Sequence, residues 1–281
     1  PDREAAEALL ETAADWARQR GLTALRGPAN YSTNEEVGLL VDGWDGPPVM
    51  MMTYNPRYYV DFIEGAGFHK VMDLLAYMVD LSTFGLHGET LPPKLVRVAD
   101  KIRERGGFTV RGIDMRRFDE EVARFKVIYN SAWAKNWGFV PLTDDEIDHM
   151  AVSLRQLLDP DIVLFAEKDG EPIGAMLPLP DVSQALIKAY PRPGTPEWLT
   201  TAKLIWHWKI RHVVDRFRGF AGGVLEPYRG RGVEAVLMVE MARAALPRYR
   251  SLEISWVLES NMMMRRTAEM LGGEVYRTYR L

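Results

Sequence analysis

The stretch EPYRGRG, residues 226–232, most constrains what this chain can become. It joins a strand-like apolar run, FAGGVL, to VEAVLMVEMARAAL, whose apolar residues return at helical spacing. Strand, glycine turn and helix in that order imply a layered α/β arrangement, because the helix must fold back over the sheet to bury its stripe. Gly230 and Gly232 allow backbone conformations other residues avoid, and they let a ligand approach the main chain. The N–H groups at the helix start suit an anion, and Arg229 and Arg231 add charge. A solvated basic loop is the other reading of the same residues.

Around this turn the pattern alternates helix and strand. Residues 4–20 read as an amphipathic helix, 22–28 as a strand closed by Gly27-Pro28, and Pro56 opens a second helix before the strand region HKVMDLLAYMVDL. At the far end a helix over 233–246 precedes the strand SLEISWVL, a helix opened by Asn261 and the strand EVYRTYRL. The order helix, strand, Asn-turn-helix, glycine, strand therefore occurs near 4–80 and again near 233–281, which suggests related units. LPPKLVRVADKIRERGG (91–107) reads as a linker helix between proline and glycine pairs. FTVRGIDM reads as a strand, and helices follow over 118–133 and 144–158, the second capped by Thr143 with Glu146. DIVLFAEKDGEPIGAMLPLP reads as a hairpin turning at Lys168-Asp169-Gly170. The expected division is a partial domain over 1–90, the linker over 91–107 and a complete domain over 108–281. Pro1 stands directly before a helix and Leu281 lies inside a strand pattern, so a piece of a longer chain is expected.

Composition removes several classes of function. The 281 residues are 47% apolar and 26% charged, enough to bury a core. A formal charge of -4 argues against nucleic acid as a partner. With no cysteine, disulfides and thiolate metal sites are excluded, and the five histidines form no His-x-x-x-His pair. No run of about 18 apolar residues exists to insert stably in a membrane, so a cytoplasmic location is expected. Neither a G-x-S-x-G nor a G-x-x-x-x-G-K-[ST] pattern occurs.

The turn resembles the acyl-CoA signature of the GCN5-related N-acetyltransferase (GNAT) superfamily, V-x-P-x-x-R-G-x-G before a helix. Val224-Leu225-Glu226-Pro227-Tyr228-Arg229-Gly230-Arg231-Gly232 matches it at Val224, Arg229, Gly230 and Gly232, with the proline one residue later, at Pro227. The resemblance implies an α/β (α+β) fold with a mixed central sheet flanked by helices, one copy complete and one partial. It implies that amides of Arg229, Gly230, Arg231, Gly232, Val233 and Glu234 hold the CoA pyrophosphate. It further implies that the edge from Val224 to Glu226 pairs with the pantetheine arm, and that Asn261 lies near it. Three further stretches, RGPANYSTNEEVGLLVDGWDGPP, MMTYNPRYY and SAWAKNWGFVPLT, resemble a bacterial tandem-GNAT group and imply no substrate.

Two positions depart from the pattern. Glu234 stands where the family has a small residue, and an inward carboxylate repels pyrophosphate. Ala268 stands where the family often has a tyrosine acid, and in the first copy the equivalent is Ile63. Replacement candidates are Glu253, Glu259, Ser260, Tyr276 and Tyr279, with Glu259 and Ser260 preferred because they end the strand after the CoA helix. The expected activity is transfer of an acyl group, acetyl first, from acyl-CoA to a small-molecule or peptide amine, with a main-chain amide near Leu225 holding the carbonyl oxygen. An acyl-carrier-protein donor and an inactive acyl-CoA-binding module are the alternatives. No metal is expected, and a homo-oligomer stays open.

Two other segments carry expectations. Asn30, Ser32, Thr33, Asn34 and Glu35 either line a pocket or, the favoured reading, supply Ser32 and Asn34 as caps of the next helix. The insert 181–214 puts Leu199, Ala202, Trp206, Ile210 and Val213 on one stripe widened by Leu204 and Trp208, with Lys203, His207 and Arg211 on an edge. It reads as a helix packed between domains; a lid over an acyl chain and an interfacial helix are the other readings.

Overall fold

The computed structural model describes residues 2–30, 32 and 34–281, so Thr33 lies outside the described residues. Its centre is one mixed sheet. The strands are β1 (Leu39–Asp42), β2 (Asp73–Asp80), β3 (Thr109–Gly112), β4 (Leu164–Lys168), β5 (Glu171–Pro180), β6 (Arg216–Val224), β7 (Ser251–Leu258) and β8 (Glu274–Arg280). They lie in the order β1-β8-β2-β7-β6-β5-β4-β3. Among these neighbours only β6 and β7 run parallel. The flanking helices are α1 (Arg3–Gln19), α2 (Tyr58–Gly65), α3 (Pro93–Arg105), α4 (Phe118–Trp133), α5 (Asp144–Leu154), α6 (Ser183–Ala189), α7 (Glu197–Ile205), α8 (Val233–Ala245) and α9 (Met262–Met270). This is the α/β layering that the strand–turn–helix order required.

Local signals formed as their chemistry dictates. Asp169 and Gly170 both take positive φ, 53° and 85°, which matches the twist of a tight hairpin between β4 and β5. Thr143 Oγ1 accepts from Glu146 N at 3.3 Å, and the Glu146 carboxylate takes Thr143 N at 2.7 Å, closing the capping box of α5. Side chains of β4 divide between two faces: Phe165 packs with α4 and α5, while Leu164 and Ala166 pack with α8.

Segments assigned by sequence to different units share this sheet. β2 stands between β7 and β8, and β1 lies outside β8. Buried Arg277 of β8 ties down the 43–47 loop by donating to Gly43 O at 2.8 Å and Gly46 O at 2.7 Å. The helix expected as a linker, α3, packs along α8, with Leu95 and Ala99 against Val236 and Val239. Residues 22–28 form no strand. They are almost wholly exposed, and their backbone bonds among the described residues stand only at the two ends, Leu22 N donating to Ala17 O at 3.0 Å and Pro28 O accepting from Gly38 N at 2.9 Å.

Candidate functional site

The site begins where two strands part. β6 and β7 pair only at Arg216↔Ser251, Phe217↔Leu252 and Arg218↔Glu253. Past that point β6 stays with β5 to Val224 while β7 stays with β2 to Leu258. The outward edge of β6 past Arg218 has no strand partner among the described residues: a cavity of about 750 Å³ faces it as far as Ala221, beyond which Trp133 Nε1 donates to Gly222 O and Arg229 Nε to Val224 O. Arg218 and Phe220 of β6, Ser255 and Trp256 of β7, and Tyr129 and Trp133 of α4 form its walls. Asn30, Asn34 and Glu35 close another side.

That loop is fastened from both ends. Tyr129 Oη donates to Asn34 Oδ1 at 2.8 Å, Asn34 Nδ2 donates to Val140 O at 2.7 Å, and Asn30 Nδ2 donates to Glu36 Oε2 at 3.0 Å. Ser32 Oγ accepts Asn34 N at 3.1 Å within a local turn. The capping role favoured for Ser32 and Asn34 is therefore corrected: no helix starts there, and α2 lies beyond residue 57. Pocket lining, the alternative reading, holds for Asn30, Asn34 and Glu35.

Beneath the cavity floor lies a buried polar network. Arg218 donates from Nε to Ser255 Oγ at 3.0 Å and from one terminal nitrogen to Met50 O and Met51 O, both at 3.0 Å. Ser255 Oγ donates to Glu253 Oε2 at 2.6 Å, and Tyr276 Oη donates to Glu253 Oε1 at 3.1 Å. The guanidinium lies 3.7 Å from Glu253. Burial pushes the Glu253 carboxyl above its ordinary range, and the Arg218 charge opposes that push. Burial also lowers Arg218 and raises Tyr276. Glu253 is fully buried, so its route to the cavity runs through Ser255.

The glycine turn forms as a turn with its polar groups already engaged. Arg229 donates from Nε to Val224 O at 2.9 Å and from a terminal nitrogen to Ala132 O at 2.5 Å. Leu225 N donates to Ile173 O at 2.9 Å, so the amide expected to hold a carbonyl oxygen is spent on the sheet. Glu226 pairs with Lys135 at 2.5 Å. Gly230 N donates to Glu234 Oε1 at 3.4 Å, so the carboxylate turns back over the loop. Gly232 caps α8 at φ 89°, and a Cβ there would sit 2.6 Å from Ile102 of α3. Val233 is buried, Arg231 is exposed, and the first-turn amides of α8 have no carbonyl partner within the helix.

The remaining expected residues sit apart from the cavity lining. Glu259 accepts from Lys70 Nζ at 2.7 Å and from Asp73 N at 3.1 Å. Ser260 Oγ is 4.0 Å from Met72 Sδ. Asn261 Oδ1 accepts Met264 N at 3.1 Å, the ordinary work of a helix cap. Arg218, Ser255, Tyr129 and Trp133 were not singled out from sequence. One signal was available: SLEISWVL places Glu253 and Ser255 two apart, on one face of an otherwise apolar strand. Among the described residues no group of histidine and carboxylate side chains gathers to hold a metal.

No protein-family model matches the chain. The bacterial ceramide synthase of Caulobacter vibrioides is 38% identical over 280 residues, covering 97% of this chain and 70% of the relative. Protein YghO of Escherichia coli is 34% identical over 285 residues, covering 100% of this chain and 70% of the relative. Similar solved structures include a GCN5-related N-acetyltransferase from Sphaerobacter thermophilus, at 20% identity and TM-score 0.48, covering 80% of this chain and 55% of that one. A tandem GNAT protein from the clavulanic acid biosynthesis pathway aligns at 13% identity and TM-score 0.48, covering 86% and 61%. This chain thus spans less than two thirds of either solved protein.

Proposed function

Because the chain belongs to the family of the bacterial ceramide synthase of Caulobacter vibrioides and YghO of Escherichia coli, we propose that it is an N-acyltransferase working in the cavity between β6 and β7. The relative's product class suggests the substrates: an acyl thioester as donor and a long-chain amino alcohol as acceptor amine. The observation that carries the reading is the parting of β6 from β7. It leaves a strand edge facing a cavity that also meets a buried carboxylate through one hydroxyl. An extended thioester arm adds to such an edge as another strand would.

In the reaction the amine nitrogen attacks the thioester carbonyl carbon, a C–N bond forms and the C–S bond breaks. One ammonium proton must leave before attack and a second after it; the first goes through Ser255 to Glu253 and from there to the expelled thiolate, and solvent takes the second. In this proposal the proton handling expected of Glu259 and Ser260 falls to Ser255 and Glu253. Ser255 Oγ meets the ammonium and passes its proton to Glu253, whose burial makes it a stronger base than an exposed carboxylate. Since Leu225 N is engaged, an outward N–H of β6 within 219–221 polarises the carbonyl.

A second reading concerns the donor. Glu234 lies over Gly230 N, where free CoA would set its pyrophosphate, and that favours a carrier-protein thioester. The test mixes the chain with long-chain acyl-CoA or acyl-carrier protein and a long-chain amino alcohol, and follows thiol release and amide mass. Amide from either donor is expected, with kcat about 10²–10⁴-fold lower for Ser255→Ala. Donor binding without turnover for any amine would sink the enzyme reading and leave a binding module.

A further inference from the structure

The insert between β5 and β6 is not packed as its pattern suggested. Leu204, Trp208 and Val213 are its inward residues, joining the core around Phe217 and Tyr249. Trp206 and Ile210, expected on the buried stripe, point outward and are 55% and 58% exposed. The cause is local. Residues Trp206–Ile210 form a π-helical turn, so the 3.6-residue period fails there and the face rotates. Trp198 is 71% exposed, and Ile187, Tyr190 and Ile205 are exposed with it.

Basic side chains are interleaved with these apolar ones. Lys188, Arg192, Lys203, Lys209 and Arg211 are all exposed; Lys209 feels the charge of Asp159, and Lys188, Arg192, Lys203 and Arg211 form no salt bridge among the described residues. Lys209 Nζ lies 3.7 Å over the Trp208 ring, and the Arg192 guanidinium lies 5.5 Å from Tyr190. The acids between Pro180 and Arg216 are Glu197, the buried Asp181 and Asp215, which accepts from Gln184. A chain of net charge -4 thus places positive charge beside the exposed Tyr190, Trp198 and Trp206 of one insert. Scattered apolar side chains are normal on a protein surface; tryptophans, isoleucines and unpaired cations gathered on one insert are not.

We propose that this insert is an interfacial docking surface for an anionic lipid bilayer. Tryptophan and tyrosine settle at the headgroup level, isoleucine enters the acyl boundary, and the cations meet lipid phosphate. The insert leaves the sheet after Pro180 and returns at Arg216, two residues before Arg218 of the cavity. A docked chain would hold that cavity close to its lipid source. The proposal stands on the insert alone and is independent of the acyl-transfer reading.

Vesicle co-sedimentation of the full chain, without donor or amine, tests it. The chain is expected to sediment with phosphatidylcholine vesicles containing phosphatidylglycerol and to stay in solution with phosphatidylcholine alone. Binding should weaken with salt and fall about fivefold for each of Lys203→Glu and Arg211→Glu. Trp198→Ser combined with Ile210→Ser should abolish sedimentation with the thermal midpoint unchanged. No sedimentation, or equal sedimentation of that double variant, overturns the proposal. It is equally overturned if the chain is a dimer without vesicles and the double variant is a monomer, for then a second copy covers the surface.

Discussion

At the C-terminal end of β6, Val224 O, Gly230 N and the Arg229 guanidinium all have partners inside the protein. At its N-terminal end the insert holds Trp198, Trp206 and Ile210 in water. The first region has polar groups placed as if for a ligand, yet apart from the first-turn amides of α8 several are already taken within the protein. The second has apolar groups placed as if for a core, yet nothing covers them. A turn sequence specifies backbone shape, but its donors stay free only if no side chain arrives from elsewhere; here Glu234 and the carbonyl of Ala132 arrive. An apolar period specifies a helix face, but one change of period redirects it.

Arg218 sits between these two ends, and replacing it should have the largest effect. Arg218→Met leaves Met50 O, Met51 O and Ser255 Oγ without this donor and Glu253 without its counter-charge in a buried place, so a loss of about 3–5 kcal/mol is expected from urea unfolding. A loss below about 1 kcal/mol would mean that water reaches the network and that the two ends are less distinct than described. Next comes the turn itself. Gly232→Ala must adopt positive φ and press on Ile102, which should cost about 2–4 kcal/mol. Gly230→Ala shares the strain but meets nothing within 4 Å, so about 1 kcal/mol is expected. Equal midpoints for the two variants would deny that α3 braces the turn. The smallest effect sharpens the question of self-occupation. Glu234→Gln removes the charge lying over Gly230 N and should tighten CoA binding about two- to fivefold by calorimetry. Unchanged binding would mean that the carboxylate swings aside at no cost.

Much of the scaffold was legible because its signals are local. The hairpin at Asp169-Gly170, the Thr143 capping box and the helix after Gly232 each depend on residues a few positions apart. The site was less legible because its members are not. Arg218 and Ser255 meet across the parallel pair β6–β7, 37 residues apart, and Asn34 reaches Tyr129 across 95. Glu259 and Ser260 looked attractive at a strand end, but sequence does not say which way a strand end turns. Here Lys70 and Asp73 N hold Glu259 beside β2.

The residue order by itself determined alternating layers, a glycine-bound helix start and the lack of cysteine for a disulfide or metal site, since these follow from steric permission, periodicity and composition. Only the tertiary structure decided that β2 would enter between β7 and β8, that β6 would part from β7 over a cavity, and that Trp206 would face water. Backbone preference acts over a few residues. Strand pairing, burial and the supply of hydrogen-bond partners are settled by segments that meet only after the chain has folded.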